Sequence, residues 1–289
     1  MTDTAAQRGQ DGVSDSYPNV EDVATGQPPR SAPPVPGTLP RIRRASLALV
    51  LVAGFVLCVR LAEVDPGALA EGLPKMVGWA TRAWPPSFDG FDVLLRRAAE
   101  TVAIAVVGTT IAAAAALLAC VPAARNLTPA RFLRIPARWV LNACRGIDSF
   151  VFALLFVAAV GLGPFAGTLG IAFHTFGSMG KLFAETIEGM PAGPLEAAEL
   201  TGASRLKVVR WALLPDVLPG LVSVGLYMLE FNIRASIVLG VVGAGGIGQQ
   251  LKNAIDLLNF PRLFTIILII VAMVAAVDQL SARLRARLA

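Results

Sequence analysis

Charged residues and cysteines are scarce in this chain. Asp, Glu, Lys and Arg make up 16% of its 289 residues and hydrophobic residues 55%; a soluble domain has roughly 25% charged residues, so the composition is that of a membrane protein. The three cysteines, Cys58, Cys120 and Cys144, lie far apart and form no CxxC pair. We therefore expect neither a disulfide framework nor a zinc site.

Nucleotide-binding and catalytic motifs are missing as well. No G-x-x-x-x-G-K-[ST] run occurs, so the chain is not expected to hydrolyse ATP itself. His174 is the only histidine, and no cysteine, carboxylate or serine is spaced to form a metal site or a catalytic pair with it. The net charge of +5 comes without a basic stripe interleaved with aromatics, so nucleic acid is not an expected partner.

The first 44 residues differ in composition from the rest of the chain. They hold seven prolines among Asp, Gln, Ser and Gly, with almost no apolar run, so they bury too little surface to offset the entropy of ordering. We predict a disordered cytoplasmic tail over 1–44. The first apolar run begins at Ser46 with no cleavage site after it, which indicates an uncleaved membrane helix. Residues 45–100 are assigned to this helix and an outer interfacial segment, and 101–289 to the core.

Apolar runs of about 20 residues indicate membrane-spanning helices, although helices packed inside a bundle can be shorter or interrupted. On this basis the sequence predicts an all-α polytopic membrane protein with about six transmembrane helices. The predicted spans are Ser46–Ala62, Thr101–Ala124, Phe150–Leu162, Phe165–Phe183, Val217–Val242 and Leu263–Val277. The third and the sixth are short, and losing either one would change the side on which the chain ends.

Lysine and arginine are distributed unevenly between the predicted connections. With the N-terminus inside, the inner segments hold 17 of the 25 basic residues and the outer segments hold six. Basic residues mark the cytoplasmic side, so both termini are predicted to be cytoplasmic. The long outer segment Glu63–Glu100 alternates aromatic residues such as Trp79 and Trp84 with charged ones. It is either an interfacial helix or a docking surface for an outer partner.

The inner connection over 185–215 is long and polar for a compact membrane protein, which calls for a functional explanation. Residues 195–200 begin like a helix, with prolines before them and two carboxylates in the first turn. Gly202 interrupts this stretch, and Leu214-Pro215 is predicted to stop the element before the next span. We expect a short helix that lies along the membrane face.

The spacing inside this connection matches a known motif. It reads Glu196-Ala197-Ala198, three residues, Gly202, nine residues, Ala212, one residue and Leu214-Pro215. This pattern resembles the EAA loop of ABC-importer permeases, with Ala212 in place of the usual Ile. The resemblance implies a type I ABC-importer permease fold in the plasma (inner) membrane, whose loop forms a coupling helix that seats in a separate cytoplasmic ATPase subunit. It also implies that ATP and Mg²⁺ are bound by that subunit and that this chain carries no cofactor.

Further runs resemble those of phosphonate-importer permeases, over residues 95–288. They are Arg125–Pro129, Phe152–Val157, Val160–Gly167, His174-Thr175, Glu230–Ser236 and Val242–Gly248. The resemblance implies import of a phosphonate or a related anion such as phosphite, hypophosphite or phosphate. It implies as partners a second copy of the chain, two ATPase subunits, an external substrate-binding protein and the lipid bilayer. Methionine is the alternative cargo, and an intramembrane enzyme or a passive channel would leave the EAA spacing unexplained.

Polar groups inside the predicted spans are candidates for the transport pathway. Glu230 and Arg234 lie four residues apart with the acid first, an order that favours an ion pair within one helix. Alternatively Arg234, with Asn232, attracts an oxyanion on its way through, because a guanidinium suits phosphate-like oxygens. His174 is either packed and hydrogen-bonded or a pathway-lining group.

A glycine-rich run follows the fifth predicted span. Residues 243–248 fit G-x-G-x-x-G, but the sequence offers no preceding soluble strand, following helix or acidic residue about 20 positions later, which a dinucleotide site requires. We predict instead a tight outer turn near the mouth of the pathway. Its glycines are Gly243, Gly245, Gly246 and Gly248.

Overall fold

A computed structural model describes residues 38–128, 130–191, 193, 197, 200, 202 and 204–287. The described residues divide into two units, one that ends at Ala70 and one that begins at Glu71. Within the described ranges every regular element is a helix, which confirms the all-α prediction. The predicted tail lies outside the described residues as far as position 37.

Helix α1 (Thr38–Leu61) contains the first predicted span. It begins inside the segment predicted to be a tail, because Pro40 is tolerated in the first turn of a helix, where a missing N–H breaks no intrahelical bond. From Arg43 onward its side chains are exposed. A helix that is apolar on all sides and exposed on all sides is suited to lipid.

Helix α2 (Pro66–Arg82) belongs to the predicted interfacial segment, and none of its residues is buried. The Trp79 ring stacks on Phe260 with ring centroids 5.8 Å apart. The Thr265 hydroxyl donates to the Ser87 carbonyl at 2.7 Å. These contacts attach the end of the outer segment to the start of the last helix.

The remaining helices form a bundle around one glycine-rich member. They are α3 (Phe91–Ala123), α4 (Arg131–Gly146), α5 (Ser149–Val160), α6 (Pro164–Glu188), α7 (Arg205–Val208), a π-helical segment (Val209–Leu213), α8 (Leu214–Val241), α9 (Ile247–Asp256) and α10 (Phe260–Ala286). Helix α6 contacts α3, α4, α5 and α8. A Cβ on Gly170 would lie 2.8 Å from the Ala153 nitrogen, and one on Gly180 would lie 2.5 Å from Leu141 Cδ2. Small residues on α6 therefore let its neighbours pack closely, as in membrane bundles generally.

Four helices in the described ranges are long and apolar enough to cross a membrane, and α4 with α5 forms a fifth if this pair, bent by 85°, counts as one. The predicted third span, Phe150–Leu162, is therefore only half of an element, because α5 has 12 residues. Helix α6 covers the predicted fourth span but is not among the apolar helices, since protein rather than lipid surrounds it. The predicted count of about six is roughly matched.

The start of α3 and the presence of α9 differ from the prediction. Helix α3 begins at Phe91, well before the predicted Thr101, because the outermost turns of this long helix carry charged residues and extend beyond the apolar run. Helix α9 was not predicted at all; its ten residues are too few and too polar for a span. It packs against α8 and α10 at the end of the bundle predicted to face outward.

Candidate functional site

The inner connection is exposed wherever the structure describes it. Ala197 and Gly202 are exposed, and Leu200 is 88% exposed. Gly202 has a φ of +73°, and no atom lies within 4 Å of the position that a Cβ would take. A glycine is favoured there by the backbone and not by crowding. Glu196 and Ala198 lie outside the described residues, and of the helix predicted over 195–200 only Ala197 and Leu200 are described.

The predicted stop at Leu214-Pro215 is wrong. Helix α7, the π-helical segment and α8 follow one another without a break, and the Leu214 N–H donates to the Val209 carbonyl. Proline normally ends a helix because it lacks an N–H and its ring clashes with the preceding turn. Here Pro215 falls in the first turn after the π-helical segment, where the wider hydrogen-bond pattern has already shifted the register. The exit from the connection is therefore continuous with a membrane helix.

The entry to the connection is held by Glu188, the last residue of α6. Its Oε1 atom accepts from the Arg125 backbone N–H at 2.6 Å and from the Arg138 guanidinium at 2.5 Å. Beside it, the Asn126 side chain donates to the Ile187 carbonyl at 2.7 Å. Glu188 thus joins the end of α6 to the segment that follows α3 and to the middle of α4, where the connection begins. No local signal predicts it, because the partners are 50 to 63 residues away.

Asn232, a predicted pathway residue, is completely buried. Its Nδ2 donates to Thr109 Oγ1 at 2.8 Å, and its Oδ1 accepts from Thr175 Oγ1 at 3.1 Å. Both ends of the amide are therefore satisfied by neighbouring helices, α3 and α6. Such interhelical bonds stabilise membrane bundles, so Asn232 fixes α8 in the bundle.

The ion pair expected between Glu230 and Arg234 is replaced by two pairs between α8 and α10. Glu230 Oε1 lies 2.7 Å from the Arg285 guanidinium, and Arg234 contacts Asp278 at 3.0 Å. The Glu230 side chain is 13% exposed, whereas that of Arg234 is 55% exposed. Each pair places an opposite charge beside a charged residue of α8, although Glu230 Oε1 is buried and accepts no hydrogen bond. Spacing within one helix could not reveal these partners.

His174, the other predicted pathway residue, contacts α8 and the end of α4. It is half-buried, and its Nδ1 is 2.8 Å from the Ile147 carbonyl oxygen. Its ring stacks on Phe231 with centroids 6.3 Å apart. The histidine is hydrogen-bonded and packed, and a part in the pathway stays a prediction.

The glycine-rich run forms a turn between α8 and α9. Gly243, Gly245 and Gly246 have φ values of +91°, +81° and +74°, which favour glycine. A Cβ on Gly248 would overlap the Ile237 carbonyl. The element before the turn is a helix rather than a strand, so the dinucleotide requirement fails even though α9 follows. Its position near the mouth of a pathway stays a prediction.

The start of α9, which is buried, is capped by residues of α3. The Gly246 N–H donates to Glu100 Oε1 at 3.1 Å, and the Ile247 N–H donates to Thr101 Oγ1 at 2.8 Å. These bonds satisfy two N–H groups that a helix start leaves without partners. Glu100 also places a negative charge at the positive end of the helix dipole.

A groove of about 420 Å³ opens between α3, α6 and α8. Apolar side chains line it, including Met179 and Phe183, apart from the hydroxyl groups of Thr109 and Thr110. Thr109 also belongs to the buried network of Asn232. The groove has no basic side chain, so it is unlike a site built to hold an anion.

Comparison with known proteins agrees with this architecture. Residues 108–289 match the family described as binding-protein-dependent transport system inner membrane component. The chain is 46% identical over 239 residues to the putative phosphite transport system permease protein HtxC of Stutzerimonas stutzeri, covering 83% of each chain. It is 41% identical over 250 residues to the phosphate-import permease protein PhnE of Mycolicibacterium smegmatis, covering 86% of this chain and 47% of the relative.

A solved structure shares the fold. A chain of the MetNI methionine ABC transporter in an inward-facing conformation aligns with a TM-score of 0.63 and 23% identity, covering 70% of this chain and 99% of that one. The likeness includes the helical bundle and supports the permease fold. With the family match over most of the bundle, these findings show that the chain belongs to the inner-membrane permease components of binding-protein-dependent transport systems.

Proposed function

We propose that this chain is the transmembrane permease subunit of an ATP-driven importer for phosphonates or related phosphorus oxyanions. The observation that carries the cargo class is the 46% identity, over 83% of both chains, to a protein named as a phosphite permease. Probable D-methionine permeases match more weakly, at 25% identity over 146 residues for the one from Haemophilus influenzae. Methionine is therefore the second candidate cargo, supported by the shared fold.

In this proposal the chain has no catalytic residue, and the energy comes from separate subunits. Two copies of the chain form the pathway, and two cytoplasmic ATPase subunits bind ATP and Mg²⁺. An external binding protein delivers the anion. Both termini lie in the cytoplasm, as the distribution of basic residues predicts.

The coupling role is assigned to Glu196, Ala197, Ala198, Gly202, Leu214 and Pro215. Its support is the exposed connection held at both ends, by Glu188 at the entry and by the continuous helix at the exit. A docked ATPase would thereby pull directly on α3, α4, α6 and α8. Rocking of these helices gives alternating access without a chemical step in this chain.

Replacing Gly202 tests the coupling role. Asp and Asn both tolerate a positive φ better than most residues and have nearly the same shape. We expect Gly202→Asp to abolish uptake because it places a charge in the docking surface, and Gly202→Asn to retain more of it. Gly193→Asp is the matched control, since Gly193 is exposed in the same connection with open space at its Cβ. Unchanged uptake with Gly202→Asp, at normal membrane levels, would contradict the assignment.

Competition for uptake tests the cargo. Cells with and without the chain, but with the ATPase and binding protein present, are given labelled phosphite. Unlabelled phosphonate, phosphate and methionine are added as competitors. We expect chain-dependent uptake that is blocked by phosphorus oxyanions and not by methionine. Blocking by methionine alone would transfer the proposal to the second candidate, and uptake without ATP would point to a channel.

A further inference from the structure

Helix α4 is amphipathic and carries a large exposed apolar surface. Phe132 is 87% exposed and Trp139 is 73% exposed, and Leu133 and Val140 are more than half exposed. The spacing of Phe132 and Trp139, seven residues apart, places them on one face of the helix. Only Leu141 of this helix is buried. We call the exposed apolar and basic sides of α4 together the α4 surface.

The other side of α4 is basic. Arg131, Arg134, Arg138 and Arg145 fall at spacings of three, four and seven residues, which is one helical face. Of these four arginines, Arg138 already has partners within the protein, because it donates to Glu188 and to the Ala123 carbonyl. Among the described residues, the other three form no ion pair. Three positive charges thus border the exposed aromatic face.

The direction of α4 suits a helix that lies at a membrane surface. Its axis is bent by 85° from that of α5, so the two helices do not cross the bilayer as one straight rod. Arginines on one face and Trp and Phe on the other are the pattern of helices that lie in the headgroup layer. The middle of α4, at Arg138, lies beside the end of α6 that leads into the inner connection.

We propose that the α4 surface binds anionic phospholipid in the cytoplasmic leaflet, with Arg131, Arg134 and Arg145 contacting headgroup phosphates and Phe132 and Trp139 entering the acyl boundary. A free anion would explain the arginines but not the exposed aromatic side chains next to them. A second copy of the chain would bring the same arginines together around a symmetry axis, where like charges repel. Lipid alone satisfies both faces at once.

Quenching of Trp139 fluorescence by brominated lipid measures this contact directly. In the full chain, Trp79, Trp84 and Trp211 are replaced by Phe, and the protein is reconstituted in bilayers. Brominated phosphatidylglycerol is compared with brominated phosphatidylcholine. Arg131→Gln/Arg134→Gln removes the proposed headgroup contacts, and Arg131→Lys/Arg134→Lys retains the charge as the matched control. The readout needs neither ATPase nor transport, so it is independent of the proposed function.

We expect strong quenching and a preference for phosphatidylglycerol. Each basic residue near an anionic surface changes the affinity about fivefold, so the Gln pair lowers the preference by that factor per arginine and the Lys pair largely keeps it. Absence of quenching by any lipid would overturn the proposal, because Trp139 would then face water or protein. Equal quenching by the two lipids, or a preference that millimolar phosphate or phosphite removes at constant ionic strength, would overturn it too.

Discussion

Replacing Arg234 and Asp278, separately and together, tests whether their contact holds α8 against α10. The Arg234 guanidinium donates to both carboxylate oxygens of Asp278, at 3.0 and 3.1 Å. We expect Arg234→Gln and Asp278→Asn to destabilise the protein by similar amounts, because each leaves one charge without its partner. The double variant is expected to be no less stable than either single variant.

The magnitude depends on what surrounds this pair, whose side chains are 55% and 40% exposed. A pair exposed to water contributes about 0.2–1 kcal/mol, whereas a lone charge at the bilayer centre costs about 2.5–3.5 kcal/mol. Both residues lie in helices long and apolar enough to span a membrane. We therefore expect a coupling free energy of about 1–3 kcal/mol, between these two limits.

Unfolding in mixed detergent micelles gives the three free energies, and a double-mutant cycle extracts the coupling. Lys252→Gln is the control, because Lys252 and Asp256 form an exposed pair within one helix. Labelled phosphite uptake is measured in parallel. A coupling below about 0.5 kcal/mol, the scatter between independent sites, would refute the structural role. Loss of uptake with Arg234→Gln but not with Asp278→Asn would refute it as well, since only contact with the cargo makes the arginine matter alone.

Three further changes test other contacts. Gly248→Ala is expected to destabilise the protein by about 1–3 kcal/mol, because its Cβ would overlap the Ile237 carbonyl. Gly54→Ala is the control, because the Cβ of Gly54 would have open space around it. Equal unfolding midpoints for the two variants would contradict the close packing at Gly248. Asn232→Leu is expected to lower the free energy of unfolding by about 1–3 kcal/mol, because two interhelical hydrogen bonds are lost. Thr110→Val is the control, because the Thr110 hydroxyl bonds only within its own helix. An equal effect of both variants would contradict a stabilising role for the hydrogen bonds of Asn232. Glu188→Gln is expected to weaken the contacts at the entry to the inner connection by about 1–2 kcal/mol and to lower uptake while ATPase binding stays intact. Glu185→Gln is its control, because Glu185 belongs to an exposed ion pair. Unchanged uptake with Glu188→Gln would show that the contacts of Glu188 do not transmit motion from the ATPase to the helices.

Long apolar helices and the glycine-rich turn were predictable because their signals are local. Apolar runs identified α1, α3, α8 and α10. Helix α6 was also predicted from its apolar residues, although its glycines serve close contacts with other helices and not with lipid. Spacing along one helix predicted the wrong partners for Glu230 and Arg234. It indicated an ion pair between residues four positions apart, whereas the partners Asp278 and Arg285 lie on another helix.

Other features had no signal in their own segment. The start of α9 is capped by Glu100 and Thr101, which are 146 residues away. The π-helical segment lets α8 begin at Leu214-Pro215, where proline alone predicts a stop. The anchor at Glu188 likewise depends on distant residues, Arg125 after the end of α3 and Arg138 in α4. The motif of the inner connection can therefore be recognised from the spacing of residues in the sequence. The contacts that attach this connection to the helical bundle can be recognised only in the structure.

The buried bonds of Asn232 divide α8 into two unequal arms. At 1.5 Å per residue, Leu214 lies about 27 Å along the axis on one side of Asn232, and Val241 lies about 13 Å on the other. Asn232 is held to α3 and α6 by its two hydrogen bonds, so it is a natural fulcrum. A rotation about it moves the two ends of α8 in opposite directions, and the end at the inner connection travels about twice as far. Force applied there therefore acts with mechanical advantage on the glycine-rich turn at the other end.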